Sequence, residues 1–255
     1  TPIGYEVVTS PDNFLVTKPY TMQYGEPFTH TGAYGTYAFN QNWSAFAGAI
    51  TGSATGGWDG NFNRNNGAWD FLGGATWTSD DAGSSLNISG TVGPTSETSN
   101  KNWALYSIVG KHNLNDKTHL VVQHDHGFAQ GLASGGKTAE WYGINSYIFY
   151  DINDKLAAGL RAEWFRDQDG TRVVNAGRCG AGLNPGYNAA GATCAANGNA
   201  MAGYFPGGNG FYALTAGLSY KPTKWLNLRP NMRLDYADKN AFGFGSDGLA
   251  VQKTQ

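Results

Sequence analysis

The chain has 255 residues, with 17 Lys and Arg against 19 Asp and Glu and a formal net charge of −2. Only 14% of its residues are charged, against roughly 25% in an ordinary soluble domain, and its 37 glycines are about twice the usual share. A balanced charge leaves no electrostatic footprint for nucleic acid, 13 Phe, 14 Tyr and 8 Trp rule out a disordered chain, and two cysteines cannot staple a miniprotein. A mean hydropathy of −0.40, with no apolar run near the roughly 18 residues required, excludes a membrane-spanning helix. Few charges with many glycines and aromatics fit the β-barrel, whose membrane-crossing segments carry only alternation.

The chain opens at Thr1-Pro2 with no start methionine or signal peptide, and residues 251–255 supply no terminal aromatic. A mature or partial stretch of a longer chain is therefore expected. Residues 5–26 carry Pro11 and Pro19, with Pro27 just beyond, and show no clean alternation. Phe14, Leu15, Val16, Tyr20 and Met22 make this segment too apolar to float in water. Long loops of this kind are usually functional. Residues 5–28 could fold inward as a constriction, with Asp12, Lys18 and Glu26 nearest the narrowing. The other reading is an external loop, or one that latches onto a neighbouring subunit.

Ten strand-length runs follow, at residues 29–39, 43–52, 69–78, 86–92, 103–112, 118–128, 142–150, 156–166, 212–220 and 225–236. The last is the clearest. Leu226, Leu228, Pro230, Met232, Leu234 and Tyr236 share one face; Asn227, Arg229, Asn231, Arg233 and Asp235 share the other. In residues 156–166, Leu156, Ala158, Leu160, Ala162 and Trp164 oppose Ala157, Gly159, Arg161 and Glu163. About ten residues is the length a tilted strand needs to cross a bilayer. Short connections at 40–42, 79–84, 113–117, 151–155 and 221–224 alternate with long ones at 53–68, 94–102, 129–138 and 167–210. In an up-and-down meander this sorting gathers tight turns at one rim and long loops at the other, which a soluble sandwich has no reason to do. Trp43, Trp69, Trp77, Trp103, Trp141, Tyr150, Trp164, Tyr220, Trp225 and Tyr236 stand near strand ends, as a headgroup interface selects.

Several motifs stand in a definite order. Gly4-Tyr5-Glu6-Val7-Val8, Ser10-Pro11-Asp12-Asn13-Phe14 and Tyr24-Gly25-Glu26-Pro27-Phe28-Thr29-His30-Thr31-Gly32 come first. Gly57-Trp58-Asp59, Asp70-Phe71-Leu72-Gly73-Gly74 and Ala139-Glu140-Trp141-Tyr142-Gly143 follow. Last come Gly159-Leu160-Arg161-Ala162-Glu163-Trp164-Phe165-Arg166-Asp167 and Gly170-Thr171-Arg172. This series resembles the OmpL-like β-barrel porin family of Gram-negative-type outer membranes, and it covers most of the chain. The resemblance implies a barrel with more strands upstream, and it fixes the class without naming the solute. The cysteine-containing insert at 175–209 stands outside the family's common pattern.

Charge on a lipid-facing strand costs roughly 2–4 kcal/mol at the midplane, so Asp70, Arg161, Glu163, Arg229, Arg233 and Asp235 are expected to line the lumen. There they would filter ions, brace the wall by pairing across strands, or both. Cys179 and Cys194 lie in one loop with 14 residues between them, and an oxidising compartment would join them as a disulfide. His124 and His126 share one strand face, but two imidazoles alone do not hold a metal. Asp59, Asn61, Asn63, Asn65 and Asp70 echo a calcium loop, with Arg64 where the turn wants glycine; an Asn-rich hydrated loop is the plainer reading. Ser107 and His119 are the nearest approach to a nucleophile and base, on strands that nothing brings into register.

The expected protein is all-β, an antiparallel up-and-down transmembrane barrel forming one domain over residues 1–255, incomplete at one or both ends. At least ten strands are visible, and about 12–18 are expected in the full chain. Its expected function is passive diffusion of small hydrophilic solutes or ions across a bacterial outer membrane, without catalysis or cofactor. Its partners would be the lipid bilayer, the solutes and, by analogy, two further copies in a homotrimer. The alternative is a non-conducting structural or adhesive barrel with residues 167–210 as its working end.

Overall fold

Alternation becomes sheet throughout the computed structural model of the protein, which describes residues 2–51, 69–94, 101–173, 207–244 and 250–255. The strands are β1 (Gly32–Ala38), β2 (Trp43–Ile50), β3 (Asp70–Thr78), β4 (Ser84–Pro94), β5 (Asn102–Asn115), β6 (Thr118–Ala133), β7 (Lys137–Asn153) and β8 (Leu156–Asp167). They are followed by β9 (Asn209–Thr223), β10 (Leu226–Leu228) and β11 (Asn231–Ala237). Each neighbour pairs antiparallel in one eleven-stranded meander that is not closed among the described residues. β10 and β11 both pair with β9, and Leu228↔Tyr220 and Asn231↔Gly217 share one register. They are a single run interrupted at Pro230, which has no N–H for the ladder, although its carbonyl still accepts from Leu218 N at 2.9 Å.

Two features depart from the alternation reading. Residues 129–138, expected as a long loop, are mostly strand: β6 and β7 run on and close through a 3₁₀ turn at Ser134–Gly136. Gly131, Gly135 and Gly136 have φ of 77°, 72° and 74°, a conformation that only glycine adopts freely, so the glycines that read as loop instead make a bulge and a tight turn. The strict sorting of short and long connections therefore fails at this hairpin. A further hairpin, β12 (Phe242–Phe244) with β13 (Ala250–Gln252), was not visible in the periodicity. Beyond it, Gln255 O accepts from Asp235 N and Lys253 O from Ala237 N, each at 2.8 Å, on the outer edge of β11.

The sheet has two chemically opposite faces. Phe71, Ile88, Val122, Ile144, Ile148, Leu160, Leu214 and Leu218 are exposed on one, and Met232 and Leu234 there are 79% and 60% exposed. Arg161 at 0% and Asp235 at 7% are buried on the other. Water does not leave such a continuous apolar wall uncovered in a monomeric soluble protein. Trp43, Trp69, Tyr150, Tyr220 and Tyr236 stand on the apolar face, as expected, while Trp225 is exposed in the turn between β9 and β10. Trp103 and Trp141 do not. They are buried on the polar face, their rings 6.4 Å apart, because their odd positions alternate with Tyr106 and with Tyr142 and Ile144 rather than sharing their side.

Candidate functional site

What buries the charges is the chain's own N-terminal segment. Residues 3–28, with a 3₁₀ turn at Ser10–Asp12 and a π-turn at Thr21–Gly25, lie along the polar face of the sheet. Small residues on that face make the seats. A Cβ placed on Gly127 would meet the Trp141 ring at 2.1 Å, one on Gly143 the Thr21 methyl at 2.9 Å, one on Gly159 the Phe14 ring at 2.5 Å and one on Gly217 the Leu15 side chain at 2.6 Å. Apolar anchors enter between them. Ile3 packs with Ile50, Leu72 and Leu105, the Phe14 ring lies 4.8 Å from that of Phe149, and Tyr20 lies 5.2 Å from Phe211.

Charges then fix the segment in place. Arg161, fully buried, donates to Glu6 Oε1 at 2.6 Å, Glu163 Oε1 at 2.8 Å, the Thr17 carbonyl at 2.8 Å and Thr17 Oγ1 at 3.1 Å. Arg233 donates to Glu163 at 2.9 Å, to Asp235 at 2.7 Å and to the Lys18 carbonyl at 2.8 Å, with its guanidinium 5.0 Å from the Tyr20 ring centroid. Glu163 in turn accepts from Tyr20 N at 2.8 Å. Arg229 donates to the carbonyls of Ser10 and Asn13. The ladder Glu6–Arg161–Glu163–Arg233–Asp235 thus joins β8 and β11 to the segment, and each buried charge has an opposite neighbour, without which it would be very costly. Deeper along the same face, Gln123 accepts from Tyr5 N at 2.9 Å and donates to Glu26 at 2.6 Å. Arg172 lies with its guanidinium 4.4 Å from the Trp141 ring centroid and donates to the Tyr24 carbonyl at 2.7 Å.

The six residues expected on the polar face, Asp70, Arg161, Glu163, Arg229, Arg233 and Asp235, all lie there. Asp70 is apart from the ladder, packed on Gly93 of β4. Of the three charges expected nearest a narrowing, Asp12 is exposed and accepts from Thr9 Oγ1, and Lys18 donates to the Val7 carbonyl. Glu26 is buried against β6 and faces no open space. His124 and His126 lie on the apolar face, where the Tyr106 hydroxyl is 3.5 Å from each and Glu140 is 3.7 Å from His126. Among the described residues no three His, Cys, Asp or Glu come together to hold a metal. Ser107 pairs in register with Asp125, while His119 pairs with Asn113 and contacts Asp151 at 3.1 Å. Six residues of strand, about 20 Å, therefore separate Ser107 from His119. Cys179, Cys194, Asp59, Asn61, Asn63 and Asn65 lie outside the described residues. Sequence reasoning missed Glu6, Gln123, Asp125, Asn145 and Tyr147 as members of the site. Parity alone would have placed the last four opposite Val122, Ile144 and Ile148.

A meandering antiparallel sheet with an exposed apolar face and a charged, covered face belongs to the outer-membrane barrel class of folds. Residues 1–255 match the family described as "Putative beta-barrel porin-2, OmpL-like", and the chain belongs to that family. No curated protein matches it. Its structure is similar to the crystal structure of the outer membrane channel DcaP of Acinetobacter baumannii, with a TM-score of 0.50 and 9% sequence identity. That match covers 81% of this chain and 55% of the other, so the chain spans about half of the channel it resembles.

Proposed function

We propose that the protein is an outer-membrane porin through which small hydrophilic solutes or ions diffuse passively, without a catalytic step. The reading is carried by the two-faced sheet: Met232 and Leu234 exposed on one side and Arg161, Glu163 and Asp235 enclosed on the other. A wall of this kind is stable with hydrocarbon outside and water within. The sheet, not closed among the described residues, and the partial span of the channel neighbour support further strands that complete the barrel. Residues 3–28 narrow the lumen, and their hydrogen bonds with Arg161, Arg229 and Arg233 brace that narrowing while leaving Asp12 and Lys18 toward the solute path. Cys179 and Cys194, between β8 and β9 in the chain, are expected to join as a disulfide that non-reducing digestion and mass spectrometry would detect. Assembly as a homotrimer is proposed by analogy with porins generally.

Reconstitution in planar bilayers tests the reading. Discrete conductance steps support a pore. A silent but detergent-dependent protein supports the non-conducting barrel, and a chain that stays soluble without detergent refutes both. Swelling of liposomes loaded with sugars of graded size then measures the opening.

A further inference from the structure

Where the N-terminal segment crosses β6, two carboxyl groups meet. Glu26 is 1% exposed and Asp125 0%, and a single side-chain amide bridges them. Gln123 Nε2 donates to Glu26 Oε1 at 2.6 Å and to the two oxygens of Asp125 at 2.9 and 2.8 Å. The backbone closes over the far side: a Cβ on Gly4, whose φ is 81°, would lie 2.3 Å from Glu26 Oε2. Two carboxylates buried on one neutral donor cannot both ionise cheaply, so the pair keeps one proton. The surrounding groups do not neutralise a second negative charge. From the segment, Glu6 faces the pair and is itself occupied by Arg161. From β5 comes the Ser107 hydroxyl, from β6 the neutral Gln123 with His124 behind it on the opposite face, and from β7 the Tyr147 phenol.

The geometry points to a proton latch: we propose that the proton shared by Glu26 and Asp125 pins residues 21–28 to the wall, and that its loss releases them and widens the channel. The gating half rests on the reading of this segment as a constriction. The sign follows from the contact. At low pH the proton stays and the two groups attract; as pH rises it leaves, and two buried anions in contact repel. Asp125 belongs to a strand paired on both sides, with Ser107 and Gly143, so the segment is the side that moves. Three further local ties end on acceptors that do not titrate. Asn145 Nδ2 donates to Thr21 Oγ1, Trp141 Nε1 to the Gly25 carbonyl at 3.2 Å and Arg172 to the Tyr24 carbonyl at 2.7 Å. These contacts mark the extent of the released piece.

The test uses the full chain with a nitroxide at position 23, with Cys179 and Cys194 replaced by serine, from about pH 4 to 9. The released-to-latched ratio is expected to rise by as much as tenfold per pH unit as the single proton titrates, and conductance is expected to rise with it. Glu26→Gln offers Asp125 an amide donor in place of the titrating carboxyl, so label and conductance should both become pH-independent. Asp125→Asn provides the same test should Glu26→Gln fail to fold. A wild-type label with a flat profile, a Glu26→Gln profile identical to wild type, or release by a chelator at fixed acidic pH would each overturn the latch. A label that is released while conductance stays constant and non-zero overturns the gating and leaves the channel intact. Silence at every pH overturns the channel reading alone, since the label reports the latch directly.

Discussion

Replacing Arg161 by methionine removes the central charge of the ladder and keeps its length. The guanidinium is completely buried and donates to Glu6, Glu163 and Thr17. Glu163 retains Arg233 at 2.9 Å and Tyr20 N at 2.8 Å. Glu6 retains the Tyr147 hydroxyl at 3.2 Å and loses its contacting cation, with Lys18 nearby but bonded to the Val7 carbonyl. Breaking one partner of a buried pair costs about 3–5 kcal/mol. Because Glu6 belongs to the segment and can leave the wall, that cost falls on docking rather than on the strands. The undocked population should therefore rise by roughly a hundredfold to a few thousandfold. Limited chymotrypsin cleavage at Phe14 and Leu15 reads that population, Leu15 being protected at 1% exposure. Adding Glu6→Gln to Arg161→Met should recover part of the loss, as coupled partners do in a double-mutant cycle. Unchanged protection in Arg161→Met would refute the ladder as the clamp and leave docking to the apolar anchors and to the Arg229, Gln123 and Arg172 contacts.

Replacing Arg229 and Arg233 together by serine should shift the reversal potential in a salt gradient toward cations; no shift would remove both from the ion path. Deleting residues 12–20 should raise single-channel conductance, and an unchanged value would mean that the segment does not narrow the pore. Gly127→Val drives a side chain into the Trp141 ring. Overpacking of this kind costs about 1–3 kcal/mol, seen as a lower urea midpoint, and a midpoint equal to wild type would show that the ring can move aside. Leu234→Arg places a charge on the apolar face where Leu234 is 60% exposed; it should cost about 2–4 kcal/mol in lipid vesicles, and a neutral result would argue that this face meets water.

The ten runs of alternation correspond to β1 through the joined β10 and β11, because a period of two is imposed by the pleat itself and needs no tertiary partner. The faces were equally legible where apolar and charged residues take strict turns, as in Leu226 to Tyr236. The 129–138 hairpin was misread because glycine serves a bulge and a tight turn as readily as a loop. Trp103 and Trp141 were misplaced because position near a strand end was weighed above parity, although parity already set Trp141 against Tyr142.

Residue order alone therefore settles which side chains share a face, since neighbours two apart on a strand point the same way wherever the strand lies. It does not settle what covers a face. Residues 3–28 have no period, and their docking depends on partners far away in the chain: Glu6 on Arg161, Tyr20 on Glu163, Ser10 and Asn13 on Arg229, Glu26 on Asp125. Only the folded sheet, by laying β5 to β11 into one wall, creates the glycine seats and the charge ladder. For that reason a segment legible only as an apolar, proline-broken stretch becomes, in three dimensions, the element that occupies the polar face.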